Sequence, residues 1–163
     1  MTQQAEVAQV YFEDINVDDD VPSLVKGPMS PAHLMRWSSA MENWHRIHYD
    51  ELFAKNHDRL PERLVNGSWK QHVLVQMMKD WVGLGGWVWK IGFQFRGMDI
   101  VGDTITAWGK VIDKRQVGDY GIVECEIGLA NQRGENGTPG TATAVFPLRG
   151  REPIPYPFVP PEE

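Results

Sequence analysis

The stretch Leu64–Gly83, LVNGSWKQHVLVQMMKDWVG, constrains this chain more than any other part of it. Val65, Trp69, Val73, Leu74, Met77, Met78 and Trp81 recur at helical spacing and put apolar side chains almost all round. A helix of that kind has to be buried on most of its sides. At about 1.5 Å per residue it runs on the order of 25 Å. It stops at the glycine cluster Gly83-Leu84-Gly85-Gly86, a natural C-terminal end. Those glycines follow a helix and not a strand, so they do not read as a phosphate loop. Beyond them the period changes from helical to alternating. WVWKIGFQF (87–95), TITAWGKVID (104–113), GIVECEIGLANQ (121–132) and TATAVFPLR (141–149) read as strands, with NQRGENG as a hairpin loop before the last. One buried helix followed by hairpin-connected antiparallel strands predicts an α+β chain with a sheet wrapped around that helix.

The segments before the long helix are shorter. Residues 10–30 suggest a short strand and then an acidic loop, in which Asp18, Asp19 and Asp20 lack the spacing of a calcium loop and read as a solvated turn. Ser30-Pro31 is a helix start, with Ser as N-cap and Pro at the first helical position. Leu34, Met35, Ser38 and Met41 share one face of the helix it opens, which ends near Asn43. YDELFAKNH (49–57) reads as a second short helix, finished before Pro61. Residues 151–163 form a proline-rich tail that could lay Ile154, Tyr156 and Phe158 on a surface at period two. Residues 1–150 are thus expected to form one domain, with the tail as an appendage.

Composition removes several function classes. A net charge of −6 with no run of Lys or Arg argues against nucleic acid and against a polybasic membrane anchor. No apolar run spans a bilayer, and the first ten residues lack the pattern of a signal peptide. Cys125 is the single cysteine and sits in an alternating segment, as a small buried hydrophobe would. These features together point to the cytoplasm. Seven tryptophans in 163 residues are enough to line a cavity or interface as well as a core.

The chemistry concentrates in Glu42–Glu51, ENWHRIHYDE. His45 and His48 form an H-x-x-H pair, but two histidines make a poor metal site, so no metal is expected there. Arg46 and Asp50 read as a surface pair or turn formers. By pattern alone His48 is a structural histidine. His33, His57 and His72 receive no role.

Taken in order, IHYDELFA, LVNGSW opening the long helix, FQFRGMDIVGDTITAWGKV, NQRGE and ATAVFPL, with KGPMS before the first helix, resemble the MaoC-like family over residues 10–150. That is the hot-dog-fold family of R-specific enoyl-CoA hydratases and 3-hydroxyacyl thioester dehydratases. The resemblance implies a single hot-dog fold, an acyl-CoA thioester as substrate and no cofactor. It also implies a subunit that pairs into a homodimer, a hot-dog heterodimer or a higher oligomer. The family's motif Asp-x-Asn-Pro-x-His aligns His48 with the catalytic histidine. Asn43 then stands in the place of the aspartate, and His45-Arg46 in the place of Asn-Pro. A branch resembling mitochondrial-type 3-hydroxyacyl thioester dehydratases and mesaconyl-CoA hydratases carries similar N-x-H-R-I-H-Y-D text. The family's His-Gly pair at the helix start becomes Asn66-Gly67.

The resemblance implies that His48 is a general acid/base, for which its near-neutral pKa suits it, and that the Gly67 N–H is an oxyanion donor. Asn43 would orient water or the histidine, since it accepts no proton at neutral pH. Glu42 and His45 are candidates for a second base, and Asn66, His45 and Trp69 for substrate contacts. Two other readings stay open: a non-catalytic subunit of a heteromeric hydratase, to which Asn43 and Asn66 both point, and a hot-dog thioesterase, against which the absence of a carboxylate in LVNGSWKQ counts.

Overall fold

A computed structural model describes residues 9–161. Five antiparallel strands, β1 (Asp20–Lys26), β2 (Trp87–Phe93), β3 (Ile105–Val117), β4 (Tyr120–Asn131) and β5 (Asn136–Pro147), form one sheet in the order β1-β3-β4-β5-β2. Between β1 and β2 the chain makes helices α1 (Pro31–Ala40), α2 (Glu51–Asn56) and α3 (Gly67–Val82).

The core lies between α3 and one face of the sheet. Val73, Leu74, Met77, Met78 and Val82 of α3 pack with Ile105, Ala107 and Val111 of β3, Val123, Cys125, Ile127 and Leu129 of β4, and Ala142, Ala144 and Phe146 of β5. Alternation along the strands therefore points one set of side chains at the helix, as a one-sided sheet requires. Cys125 is fully buried among them, and burial pushes its thiol up to about 12, so it stays an inert hydrophobe. Gly83, at φ +72°, closes α3 as the glycine cluster predicted.

Two expectations need correction, on α3 and on the first strand. The helix α3 is not apolar all round: Gln71, His72, Lys79 and Asp80 are exposed, and Trp69 and Trp81 are half-buried. The large apolar residues outside the buried stripe are indoles, which cover surface without being enclosed. On α1 only Leu34 and Ser38 are buried, while Met35 and Met41 lie open to solvent. The first strand begins at Asp20, at the end of the acidic stretch and not before it, and residues 12–14 form a single 3-10 turn. Pro22 had hidden that strand. It is tolerated because β1 is an edge strand with a break in register between Val21 and Leu24.

The sheet's other face is partly covered by the tail. Ile122 and Val145 point away from α3, and Phe158 is buried on that side, with Trp89 and Tyr120 each 5.6 Å away between ring centres. Tyr156 lies edge-on to Trp87 but remains exposed, and Ile154 is half-buried. No helix among the described residues is long and apolar enough to cross a membrane.

Candidate active site

Two chain segments meet at the N-terminus of α3. Residues 63–65 run antiparallel to 99–101: Val65 N–H donates to the Asp99 carbonyl (2.8 Å) and Val101 N–H to the Arg63 carbonyl (3.0 Å). On the other side Leu64 N–H donates to the Ile47 carbonyl (3.0 Å). That last bond joins the single 3-10 turn Arg46–His48 to the strip that leads into α3.

His48 is buried there, and its Nδ1–H donates to the Leu64 carbonyl at 2.7 Å. A carbonyl can only accept, so the bond fixes the neutral tautomer and leaves the Nε2 lone pair free. Burial lowers the imidazole's pKa from the ordinary 6.5; the Leu64 bond opposes that shift, and nearby His45 adds to it. The net shift favours the neutral imidazole.

His45 is exposed, with its ring 6.2 Å from that of His48, and its Nδ1 accepts the Ile47 N–H at 3.5 Å. Asn43 is half-buried, and its Oδ1 accepts the His45 N–H at 3.2 Å in a local turn. Glu42 is exposed with φ +51°. Arg46 and Asp50 form the expected exposed pair at 2.6 Å, and Asp50 also caps α2 through Phe53 N–H.

Asn66 is buried at the N-cap of α3 but does not cap it with its side chain. It faces buried Ser38 of α1 instead, at 3.4 Å from Ser38 Oγ through both Oδ1 and Nδ2. Gly67 is the first helical residue, so its N–H has no intrahelical acceptor. A Cβ on Gly67 would stand 3.0 Å from the ring of Phe95, an exposed side chain that closes over this position.

The site contains residues that the sequence did not single out. One turn into α3, buried Lys70 reaches Asp99 Oδ2 at 2.7 Å and the Gly97 carbonyl at 3.0 Å. The ammonium lies close to that carboxylate oxygen but off the line of a hydrogen bond, and the oxygen has no other donor. Lys70 and Asp99 are twenty-nine residues apart, and nothing in the spacing announces the pair. On the outer side of α3, Trp37 Nε1–H donates to Ser68 Oγ (2.9 Å) and its ring lies 5.2 Å from that of His72. There a cleft of about 930 Å³ opens between α1 and α3. Trp37 and Trp69 line it; His48, Asn66 and Gly67 do not.

The sequence profile of the family described as hydroxyacyl-thioester dehydratase type 2 matches residues 8–103. No curated protein matches the chain. Among solved structures it is similar to an (R)-hydratase of A. caviae involved in PHA biosynthesis (20% identity, TM-score 0.73, covering 83% of this chain and 99% of that one). It is also similar to a MaoC-like dehydratase from Rhodospirillum rubrum (20%, 0.72, 89% and 99%) and to the ChsH1–ChsH2 complex from Mycobacterium tuberculosis (17%, 0.68, 80% and 98%). At these identities the likeness is one of fold, and that fold is the hot dog.

Proposed function

The chain belongs to the hydroxyacyl-thioester dehydratase type 2 family, and from that premise we propose that it interconverts a 2-enoyl thioester and a 3-hydroxyacyl thioester. The observation that carries this reading is the bond from His48 Nδ1–H to the Leu64 carbonyl, three residues before Gly67. It holds a neutral imidazole, lone pair free, against the segment that opens α3.

In the hydration direction, Nε2 of His48 takes a proton from water as the oxygen bonds to the β carbon. The displaced π electrons move toward the thioester oxygen. The Gly67 N–H, at the positive end of a sixteen-residue helix, receives that charge. The imidazolium then returns its proton to the α carbon. One base thus serves both proton transfers, which suits a site where the family's aspartate is Asn43. With Oδ1 engaged by His45 N–H, Asn43 keeps its NH₂ group to orient water. Acyl-CoA is the substrate we favour. We also propose assembly through β2, whose outer edge is unpaired among the described residues, into a homodimer or a mixed hot-dog dimer.

The test is loss of 2-enoyl absorbance on a panel of enoyl-CoAs, from crotonyl to long and ring-bearing chains, with His48→Ala beside the wild type. Activity in the wild type alone supports the reading. Undiminished activity in His48→Ala overturns it.

A second reading, a non-catalytic partner subunit, draws on Asn43 and Asn66 and on the likeness to a complex of two named components. It predicts a folded chain that is silent alone and active only with a second subunit. Hydrolysis is disfavoured because the first turn of α3 holds Lys70 and no carboxylate.

A further inference from the structure

Gly67 has no side chain by which its backbone can be held, so neighbouring residues set the direction of its N–H. The peptide group that carries this N–H also carries the Asn66 carbonyl, and the group is planar. Its carbonyl end is fixed, because it accepts Trp69 N–H (3.1 Å) and Lys70 N–H (3.2 Å) from the first turn of α3. Where the plane stands then depends on the residues on either side of Gly67, Asn66 and Ser68. Two consecutive residues of α1 hold those two. Trp37 Nε1–H donates to Ser68 Oγ (2.9 Å), and Ser38 Oγ faces Asn66 Oδ1 and Nδ2, each at 3.4 Å. A hydroxyl both donates and accepts, so it serves either end of the amide. The Ser38 carbonyl also accepts Asn43 N–H (2.9 Å), which joins Ser38 to the turn that leads toward His48.

Two features set these contacts apart from ordinary helix packing. Leu34 and Ser38 are the buried residues of α1. A serine in that position hides a hydroxyl that an apolar residue would not have, at a cost unless the hydroxyl is bonded. Its partner here is the side chain just before Gly67. The second feature is the missing cap. An asparagine at the N-cap ordinarily turns its side-chain oxygen onto the N–H of the second or third helical residue. Asn66 makes no such bond. Its amide is turned to Ser38, and the N–H groups of Gly67 and Ser68 have no acceptor among the described residues. Helix stability favours a cap; a donor kept open at the positive end of the helix favours its absence.

We propose that Trp37 and Ser38 are positioning residues for the thioester reaction. Together they clamp Ser68 and Asn66 so that the Gly67 N–H points at the thioester oxygen, and Ser38 keeps the Asn66 side chain from turning back to cap α3. This role rests on the thioester reading above, and it adds that the donor is held in place from α1.

The experiment uses the full chain and two variants. Trp37→Phe keeps an aromatic ring beside His72 and removes the N–H that reaches Ser68. Ser38→Ala removes the hydroxyl and frees Asn66 to cap the helix. The probe is butyryl-CoA labelled with ¹³C at the carbonyl, a saturated thioester that cannot be hydrated. Its carbonyl resonance moves downfield when a donor bonds the oxygen. Turnover of crotonyl-CoA and unfolding in urea are measured beside it. The wild type is expected to shift the bound carbonyl downfield, and both variants to shift it less. In both variants kcat should fall about ten- to a hundredfold, the cost of a displaced or partly lost donor, with KM changed less than about twofold. The urea midpoint of Ser38→Ala should be kept, because the freed Asn66 caps the helix.

An equal carbonyl shift in wild type and variants overturns the proposal. So does a fall in kcat matched by a fall in stability in both variants, which would make the contacts structural. Absence of a shift in the wild type overturns it whether or not crotonyl-CoA is turned over. A shift that is present in the wild type and reduced in both variants, in a chain silent on enoyl-CoA, would uphold the clamp and refute the hydratase reading. Turnover with equal shifts in all three proteins would do the reverse.

Discussion

The segment from Ser30 to Asn66 and the sheet formed by β3, β4 and β5 are held together in different ways. The sheet buries side chains completely: Ile105, Val111, Ile122, Val123, Ile127 and Phe146 expose almost nothing. The other segment is a set of short turns and helices in which Leu34, Ser38, His48, Ala54, Val65 and Asn66 are the buried residues. It is fixed by individual polar contacts: the Ser30 cap on α1, Asp50 on α2, His48 on Leu64 and Ser38 on Asn66. Burial over a wide area tolerates small changes at many positions; a few directed bonds fix a few atoms. The site belongs to the second kind of structure and rests on the first. If that division is right, substitutions should separate activity from stability according to the region they fall in.

The largest separation is expected at His48. His48→Ala should lower kcat/KM by roughly a hundred- to ten-thousand-fold, the range for loss of a general acid/base. The Leu64 carbonyl loses its partner, at a stability cost of order 1 kcal/mol. Steady-state kinetics beside urea denaturation measures both. A collapse in stability comparable to the loss of rate would mean that His48 is a structural residue, and the division would fail at its most important point.

Lys70 tests the base on which the site stands. Lys70→Met leaves Asp99 as a buried charge without a counterion, and the loss in stability should be about 3–5 kcal/mol. Adding Asp99→Asn should restore most of it, since replacing both members of a buried pair is often close to neutral. Equilibrium unfolding of the two single variants and the double variant gives the coupling. Equal stability of Lys70→Met and wild type would show that the pair does not anchor the start of α3.

Ser30→Ala is a smaller perturbation, of about 1 kcal/mol, because it removes the side-chain cap from the first turn of α1. Its position sharpens the comparison. Amide exchange should speed up in α1 while β3 and β4 keep their protection, because the cap bond lies within the first turn of α1. Uniform loss of protection would mean that the two regions unfold as one.

The same division explains what could be read from the sequence. The sheet and α3 were legible because burial imposes a period, and the glycine cluster marked the helix end. β1 was missed where Pro22 and a register break removed the period. His48 was legible through resemblance alone, since its structural partner is the Leu64 carbonyl, and every residue type carries a carbonyl. Lys70 and Asp99 come together through the fold of the loop between β2 and β3, and a lysine in the first turn of a helix looks like any solvated one. Met35 and Met41 share a face with Leu34 and Ser38, as their spacing indicates, but the spacing does not tell which part of that face is covered, and both stay exposed.

The finest expected effect is on pH dependence. Burial lowers the His48 pKa below 6.5, so the base form persists into mildly acidic solution. The acidic limb of the pH profile of kcat/KM should therefore fall below pH 6.5, where a free histidine would lose its activity. Stability has a definite sign as well. Below its ordinary pKa the unfolded chain binds a proton at His48 that the folded chain takes up only at lower pH, so ∂ΔG/∂pH is positive between the two values. The contribution is fully present above pH 6.5 and is lost as pH falls through the folded pKa. In His48→Asn, whose amide NH₂ takes the place of Nδ1 and keeps a donor for the Leu64 carbonyl, that part of the slope should vanish while the sheet's stability stays unchanged. If the slope persists in the variant, it belongs to another group. If the acidic limb of wild-type activity lies at or above pH 6.5, the imidazole is not shielded as its burial requires, and the Leu64 bond outweighs burial in setting where His48 titrates.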